Sequence, residues 1–255
     1  LRQDKSLISA TQIQALEKQL EPADIMLQRR EWYVSNVGLP GFWSHSALYI
    51  GTAEQRHAYF NDAEVKHWVI EQGEPTGDFE ALLRKDSAIH YGTSLAPQEH
   101  GHQTRVLEAI SEGVSFTSIE HSAAADALVT LRPRLSKLEK AKALRRAFRY
   151  SGRPYDFNFD FQTDSALVCT ELIYKAYEPD SNYRGIGFNL EQIAGRTVMS
   201  ANAIAKQFDR EYGTPQQQFD LIVFLDGQEK KGIAINQNVD AFRQSWKRPK
   251  WHALL

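Results

Sequence analysis

Two kinds of apolar pattern recur along this chain. Short runs predict strands, and stripes at helical spacing predict helices. Ile13, Leu16 and Leu20 share one side of residues 9–20, which read as a short helix ended by Pro22. Residues 23–28 read as a strand, and Gly38, Pro40 and Gly41 as a loop with turn chemistry. The run over residues 47–50, stopped by Gly51, predicts a strand with His45 at its entrance. Alternation then puts His45, Ala47 and Tyr49 on one face and Ser46, Leu48 and Ile50 on the other.

Residues 105–110 and 114–117 form a predicted hairpin about Ser111-Glu112-Gly113, and residues 126–132 a further strand closed by Pro133. Ser136 and Glu139 have capping-box spacing and open a helix. Its inward stripe is Leu138, Ala141, Leu144 and Phe148, with Lys and Arg opposite; Ser151-Gly152 and Pro154 stop it. Residues 155–161 alternate aromatic and polar side chains, as an ordinary strand or an extended wall of a cleft. Gly185 and Gly187 fall in a loop, residues 200–208 in a helix and residues 219–225 in a buried strand. Asp226-Gly227 starts a connection to residues 232–235. Residues 52–104 are the least regular: Trp68-Val69-Ile70 reads as a strand, residues 79–83 as a short helix, and the remainder is polar. With no internal repeat, low-complexity segment or clear linker, the chain is expected to form one domain over residues 1–255, with a polar insertion at 52–104.

Composition narrows the function classes only a little. The 255 residues suffice for a real core, and 42% hydrophobic and 24% charged residues are ordinary for a globular protein. A formal net charge of −2 gives no reason to expect nucleic acid as a partner. No apolar stretch has the length of a membrane span. One cysteine excludes an intrachain disulfide framework but leaves the compartment open, bacterial cytoplasm or cell envelope. Starting at Leu1 is expected of a processed or excised chain, so a removed leader or anchor stays open. His100-Gly101-His102 invites a metal reading, but no Cys or carboxylate stands beside it at a ligand spacing, and a solvated loop accounts for it.

The chemistry-bearing stretch surrounds the single cysteine. Cys169, Leu172, Ile173 and Ala176 share one helical face, and Asp164 and Ser165 are residue types that cap a helix start. Cys169 then sits in an early turn, where unpaired N–H groups and the helix dipole favour a thiolate. The alternative is a buried structural cysteine, since a free Cys packs as a small hydrophobe. Glu108 stands between Val106 and Ile110 on one strand face. Either that face is exposed, or the glutamate is a local inconsistency of the kind that gathers at functional sites.

Three segments together resemble a known family. The stretch Trp43-Ser44-His45-Ser46-Ala47-Leu48-Tyr49-Ile50-Gly51 is similar to the His strand of the YiiX-like cysteine hydrolases, the circularly permuted branch of the NlpC-type, papain-like fold. Val106-Leu107-Glu108-Ala109 with Gly113-Val114 resembles that family's next landmark. Tyr155-Asp156-Phe157 with Cys169-Thr170-Glu171-Leu172 and Ala176-Tyr177 resembles its nucleophile segment. The order His, Glu, Cys marks the permutation. The resemblance covers about residues 22–177, with a weaker echo at Ser200-Ala201-Asn202 and the strand from Phe219. The polar stretch between His45 and Glu108 is longer than the family's pattern.

What the resemblance implies is an α+β fold, with an antiparallel sheet packed against the helix that bears the nucleophile. Cys169 becomes the nucleophile, His45 the general base and Glu108 the group that orients it. Tyr33, Tyr155 and Asp156 become candidates for the cleft, and neither a metal nor an organic cofactor is required. The implied reaction is hydrolysis of peptide or isopeptide amide bonds, peptidoglycan-like substrates included, through an acyl-enzyme. Permuted relatives also include lipid acyltransferases and thioesterases, so a lipid substrate is the second expectation. The basic and aromatic tail over residues 243–251 would suit peripheral membrane contact, although a packed surface tail accounts for it equally. The third expectation is a non-catalytic binding module on the same fold. Oligomeric state is not legible.

Overall fold

The structure, a computed structural model, describes residues 6–30, 41–154, 168–193 and 196–249. Helix α1 (Ala10–Glu17) opens on a capping box, with Ser9 and Gln12 each accepting the other's backbone N–H. Strands β1 (Asp24–Arg29) and β2 (His45–Tyr49) follow. Four short helices come next, α2 (Ala53–Tyr59), α3 (Ala63–Glu71), α4 (Phe79–Asp86) and α5 (Ala88–Leu95), then a 3₁₀ turn at Glu99–Gly101. The hairpin β3 (Thr104–Ile110) and β4 (Gly113–Ser118) leads into the single turn α6 (Ile119–Ser122) and β5 (Ala127–Pro133). Helices α7 (Lys137–Phe148) and α8 (Cys169–Tyr177) are followed by a small pair, β6 (Glu191–Ile193) and β7 (Arg196–Val198). Helix α9 (Ala201–Glu211), β8 (Phe219–Gln228), β9 (Ile233–Asn236) and α10 (Val239–Ser245) complete the described chain.

The main sheet is antiparallel at every pairing and runs β4-β3-β2-β1-β5-β8-β9. Strand alternation sorts its side chains onto two faces. Ile25, Leu27, Leu48, Ile50, Leu107 and Val129 enter the larger core, which α7, α8, α9 and the helices after β2 cover. Met26, Ala47, Tyr49, Val106, Leu128 and Val223 enter a smaller core beneath Ile13 and Leu16 of α1 and Ile119 of α6. The face assignment predicted for residues 45–50 is therefore met, with Ala47 and Tyr49 opposite to Leu48 and Ile50.

Residues 52–104 depart most from expectation. Trp68-Val69-Ile70 lies inside α3, not in a strand. Asp62 caps that helix, and Val65, Trp68 and Val69 form its buried stripe, so the i, i+3, i+4 period prevails over a three-residue apolar run. Arg56 of α2 fixes this helical layer to the sheet. It is fully buried, donates Nε and Nη2 to the two Glu80 oxygens, each at 2.8 Å, and gives Nη1 to the Gly51 carbonyl at 2.8 Å. A bidentate pair of this kind is held because every buried charge has a partner. Glu80→Ala strands the guanidinium and is expected to cost about 3–5 kcal/mol in urea unfolding. A loss below about 0.5 kcal/mol would show that Arg56 is hydrated.

Two smaller expectations also change. Asp226-Gly227 does not begin the connection but belongs to β8. A Cβ at Gly227 would strike the Asp126 carbonyl, so the close approach of β8 to the start of β5 requires glycine there. The tail packs where it is described. Trp246 donates its indole N–H to Asp209 at 3.0 Å, and Arg248 pairs with buried Asp226 at 2.6 Å. Among the described residues, no helix is long and apolar enough to cross a membrane.

Candidate active site

Register brings His45 and Glu108 together. Leu48 pairs with Leu107 across β2 and β3, and one step further along the same register Ala47 faces Glu108. His45, two residues before Ala47, is then a diagonal neighbour on the same face, within reach of a long side chain. Its Nε2 lies 2.7 Å from Glu108 Oε2. Glu108 is completely buried, so its strand face is not the solvent-facing one. Its other oxygen, Oε1, accepts the Thr117 hydroxyl from β4 at 2.6 Å.

Cys169 arrives from α8, which packs against β2 and β3. It is the first residue of that helix, which has Val168 as its N-cap and no side-chain cap. The predicted caps Asp164 and Ser165 lie outside the described residues, and the helix begins later than they would place it. A first helical residue has no partner for its own N–H inside the helix. Cys169 is 2% exposed, and the backbone N–H groups of Ser46 and Thr170 favour its thiolate form. With Nε2 of His45 engaged by Glu108, Nδ1 is the nitrogen left for the thiol.

The charges of these three groups are coupled. Burial opposes ionisation of Cys169, but the His45 charge and hydrogen bond, then the two backbone N–H groups, outweigh it and lower the thiol below its ordinary range. Burial likewise opposes the imidazolium, yet Cys169 first and Glu108 second raise His45 to about 9. Glu108 is held at about 2 against its burial by His45, then Arg30 and the Thr117 hydroxyl. The pattern favours a thiolate, an imidazolium and a carboxylate in one line.

Of the three residues singled out in the sequence, His45 and Glu108 are in direct contact, and Cys169 and His45 act on each other's charge. Tyr33, Tyr155 and Asp156, the cleft candidates, lie outside the described residues. Sequence reasoning missed Thr117, although the hairpin turn at Ser111-Glu112 pairs Glu108 with Ser115 and so makes Thr117 its diagonal neighbour. It also missed Arg30, whose Nη2 donates to the His121 and Ser122 carbonyls at the end of α6, at 2.8 and 2.6 Å. The echo at Ser200-Ala201-Asn202 has a structural role. Asn202 Oδ1 accepts the Phe42 and Trp43 N–H groups just before the His45 strand, and Nδ2 donates to the Trp246 carbonyl. Gly41, at φ +97°, leaves room for that side chain.

The ring centres of His100 and His102 are 6.3 Å apart, and His102 pairs with Glu120 at 3.2 Å. Among the described residues, no group of three or more His, Cys, Asp or Glu side chains is arranged to hold a metal ion.

The helix that bears Cys169 follows the His45 strand in the chain and packs on the antiparallel sheet. The chain belongs to the family described as "permuted papain-like amidase enzyme, YaeF/YiiX, C92 family", whose model matches residues 19–221. It is accordingly an enzyme of the cysteine peptidase and amidase kind, an amide hydrolase in general terms. Among solved structures, the one titled metalloprotein yiiX from Escherichia coli O157:H7 is similar at 17% identity and a TM-score of 0.43, over 80% of this chain and 89% of that one. Comparison with curated proteins gives no match.

Proposed function

We propose that the chain hydrolyses peptide or isopeptide amide bonds with Cys169 as nucleophile, His45 as general base and acid, and Glu108 as the group that orients His45. The observation that carries this reading is the 2.7 Å contact of His45 Nε2 with buried Glu108, which leaves Nδ1 for Cys169. The thiolate attacks the carbonyl carbon, and the carbonyl electron pair moves onto oxygen. The Cys169 N–H, first in its helix, is placed to donate to that oxyanion. Collapse expels the amine, which takes the proton from His45, and leaves a thioester. Water then gives a proton to His45 and attacks the thioester; the acid leaves and the thiolate returns. A carboxylate on Nε2 fixes the tautomer and steadies the imidazolium at both stages.

Nothing in the described tail favours the lipid reading over this one. Trp246 and Arg248 are engaged by Asp209 and Asp226 within the fold. Transfer of an acyl group from a lipid donor to Cys169, seen as a mass increase, would reverse that preference.

The direct test is the rate of Cys169 alkylation against pH, in the wild type and in His45→Ala. The lone cysteine makes the adduct unambiguous. Reactivity is expected to persist well below the ordinary thiol pKa of about 8.5, and to retreat towards that value when His45 is removed. A thiol that is inert, or indifferent to His45, would return Cys169 to a structural role.

A further inference from the structure

Glu108 is a buried carboxylate with both oxygens in use, and the reaction outlined above uses only one of them. Oε2 meets His45 at 2.7 Å, and Oε1 accepts from Thr117 at 2.6 Å. Thr117 is itself 6% exposed and sits on β4, one of the two edge strands of the sheet. Glu108 pairs with Ser115 across the hairpin, so Thr117 approaches diagonally on the same face as His45 but from the opposite side. A carboxylate held at one oxygen can still turn about its last side-chain bond, because torsions at such planar groups are broad. Held at both oxygens, it cannot turn.

We propose that Thr117 is a positioning residue of this site: its hydroxyl, donated to Glu108 Oε1, sets the plane of the carboxylate and thereby aims Oε2 at His45. The inference rests on the reading of Cys169 and His45 as thiol and base. Thr117 touches neither substrate nor the reacting atoms, and acts through Glu108 and His45 in turn. Besides tyrosines, the ionisable or charged groups on the elements packed around Glu108 are His45 on β2, Arg105 on β3 itself, Arg30 after β1, Cys169, buried Glu171 and Lys175 on α8, Glu120 and His121 on α6, and His90 on α5. Of these, His45 and Arg30 stabilise its charge most, and the Thr117 hydroxyl follows them. Glu120 is already paired with His102.

Valine has the shape of threonine without the hydroxyl, so Thr117→Val leaves a buried anionic oxygen unsatisfied and the core filled. The carboxylate then holds its proton more readily and steadies the imidazolium less. The alkylation rate of Cys169 at about pH 6 is expected to fall roughly tenfold or more, and the acid limb of the profile to move to higher pH. Thr117→Ser, which keeps the hydroxyl, should restore the wild-type profile. In a Glu108→Gln background, Thr117→Val should add little, because the two changes act through one contact.

A merely structural threonine would lower the unfolding midpoint and leave the pH profile in place. A wild-type thiol that is activated and dependent on His45, with an unchanged profile in Thr117→Val, overturns this proposal and leaves the site reading standing. A wild-type thiol that ignores His45 overturns both. Should the valine variant fail to fold, Thr117→Ala against Thr117→Ser decides. Matching profiles in those two overturn the proposal, and a shifted profile in alanine alone supports it.

Discussion

Cys169→Ala is expected to lose amide hydrolysis by roughly 10⁴-fold or more, the scale on which removal of an activated nucleophile acts. The fold should survive. The side chain is small and buried, and trimming its sulfur removes little packing compared with deleting a large hydrophobe. His45 keeps its carboxylate partner in the variant, so no buried imidazolium is abandoned. Circular dichroism and a urea midpoint near that of the wild type, beside absent turnover of a peptide or isopeptide substrate, would assign the loss to chemistry. In the wild type, acid quenching during turnover should trap an acyl adduct on Cys169, and the alanine variant should show none. Full activity in the variant would remove Cys169 from the reaction altogether.

The second large effect belongs to Glu108→Gln. The amide keeps the size and one acceptor but discards the charge that His45 needs. A loss of roughly 10²–10⁴-fold in kcat is expected, by analogy with removal of the carboxylate charge from a catalytic imidazole. The same variant changes stability with pH, and the sign follows from the two shifts. Glu108 is lowered from 4.5 to about 2, so its contribution is present above about 4.5 and is lost as pH falls through about 2. His45 is raised from 6.5 to about 9, so its contribution is complete below about 6.5 and is lost as pH rises through about 9. Stability from this pair should therefore be level between those limits and fall on both sides. In Glu108→Gln the acid slope due to residue 108 vanishes, and the alkaline loss moves to lower pH. Urea midpoints measured across that range would show it, and identical slopes in both proteins would contradict the ion pair.

Legibility in the sequence followed the length of each pattern. The sheet strands and α7 were read because alternation or a capping box coincided with a run of apolar positions, as at Ser136 and Glu139. Of the layer after β2 only α4 was, as a short helix over residues 79–83, since each of its helices is only about two turns long and buries few side chains. Only Val65, Trp68 and Val69 are buried in α3. The caps Thr52, Asp62, Asp78 and Ser87 were visible signals that four helices began there. For the site, a lone cysteine and an inward glutamate each had a bland explanation. Their juxtaposition depends on register between β2 and β3 and on how α8 crosses them, which no local pattern encodes. Resemblance supplied the pairing, and the coordinates supplied Thr117 and Arg30.

The family match stops at residue 221, three residues into β8 (Phe219–Gln228), but the packing does not. Trp43, two residues before His45, gives its indole N–H to Ser245 at 2.8 Å and meets the rings of Phe224 and Phe242. Asn202, which holds the backbone at Phe42 and Trp43, is tied in turn to the Trp246 carbonyl. A fragment trimmed to the recognised region would cut through a strand paired along β5 and strip the cover from the threshold of the His45 strand. The boundary of the shared ancestry is therefore a poor guide to where this protein can be shortened.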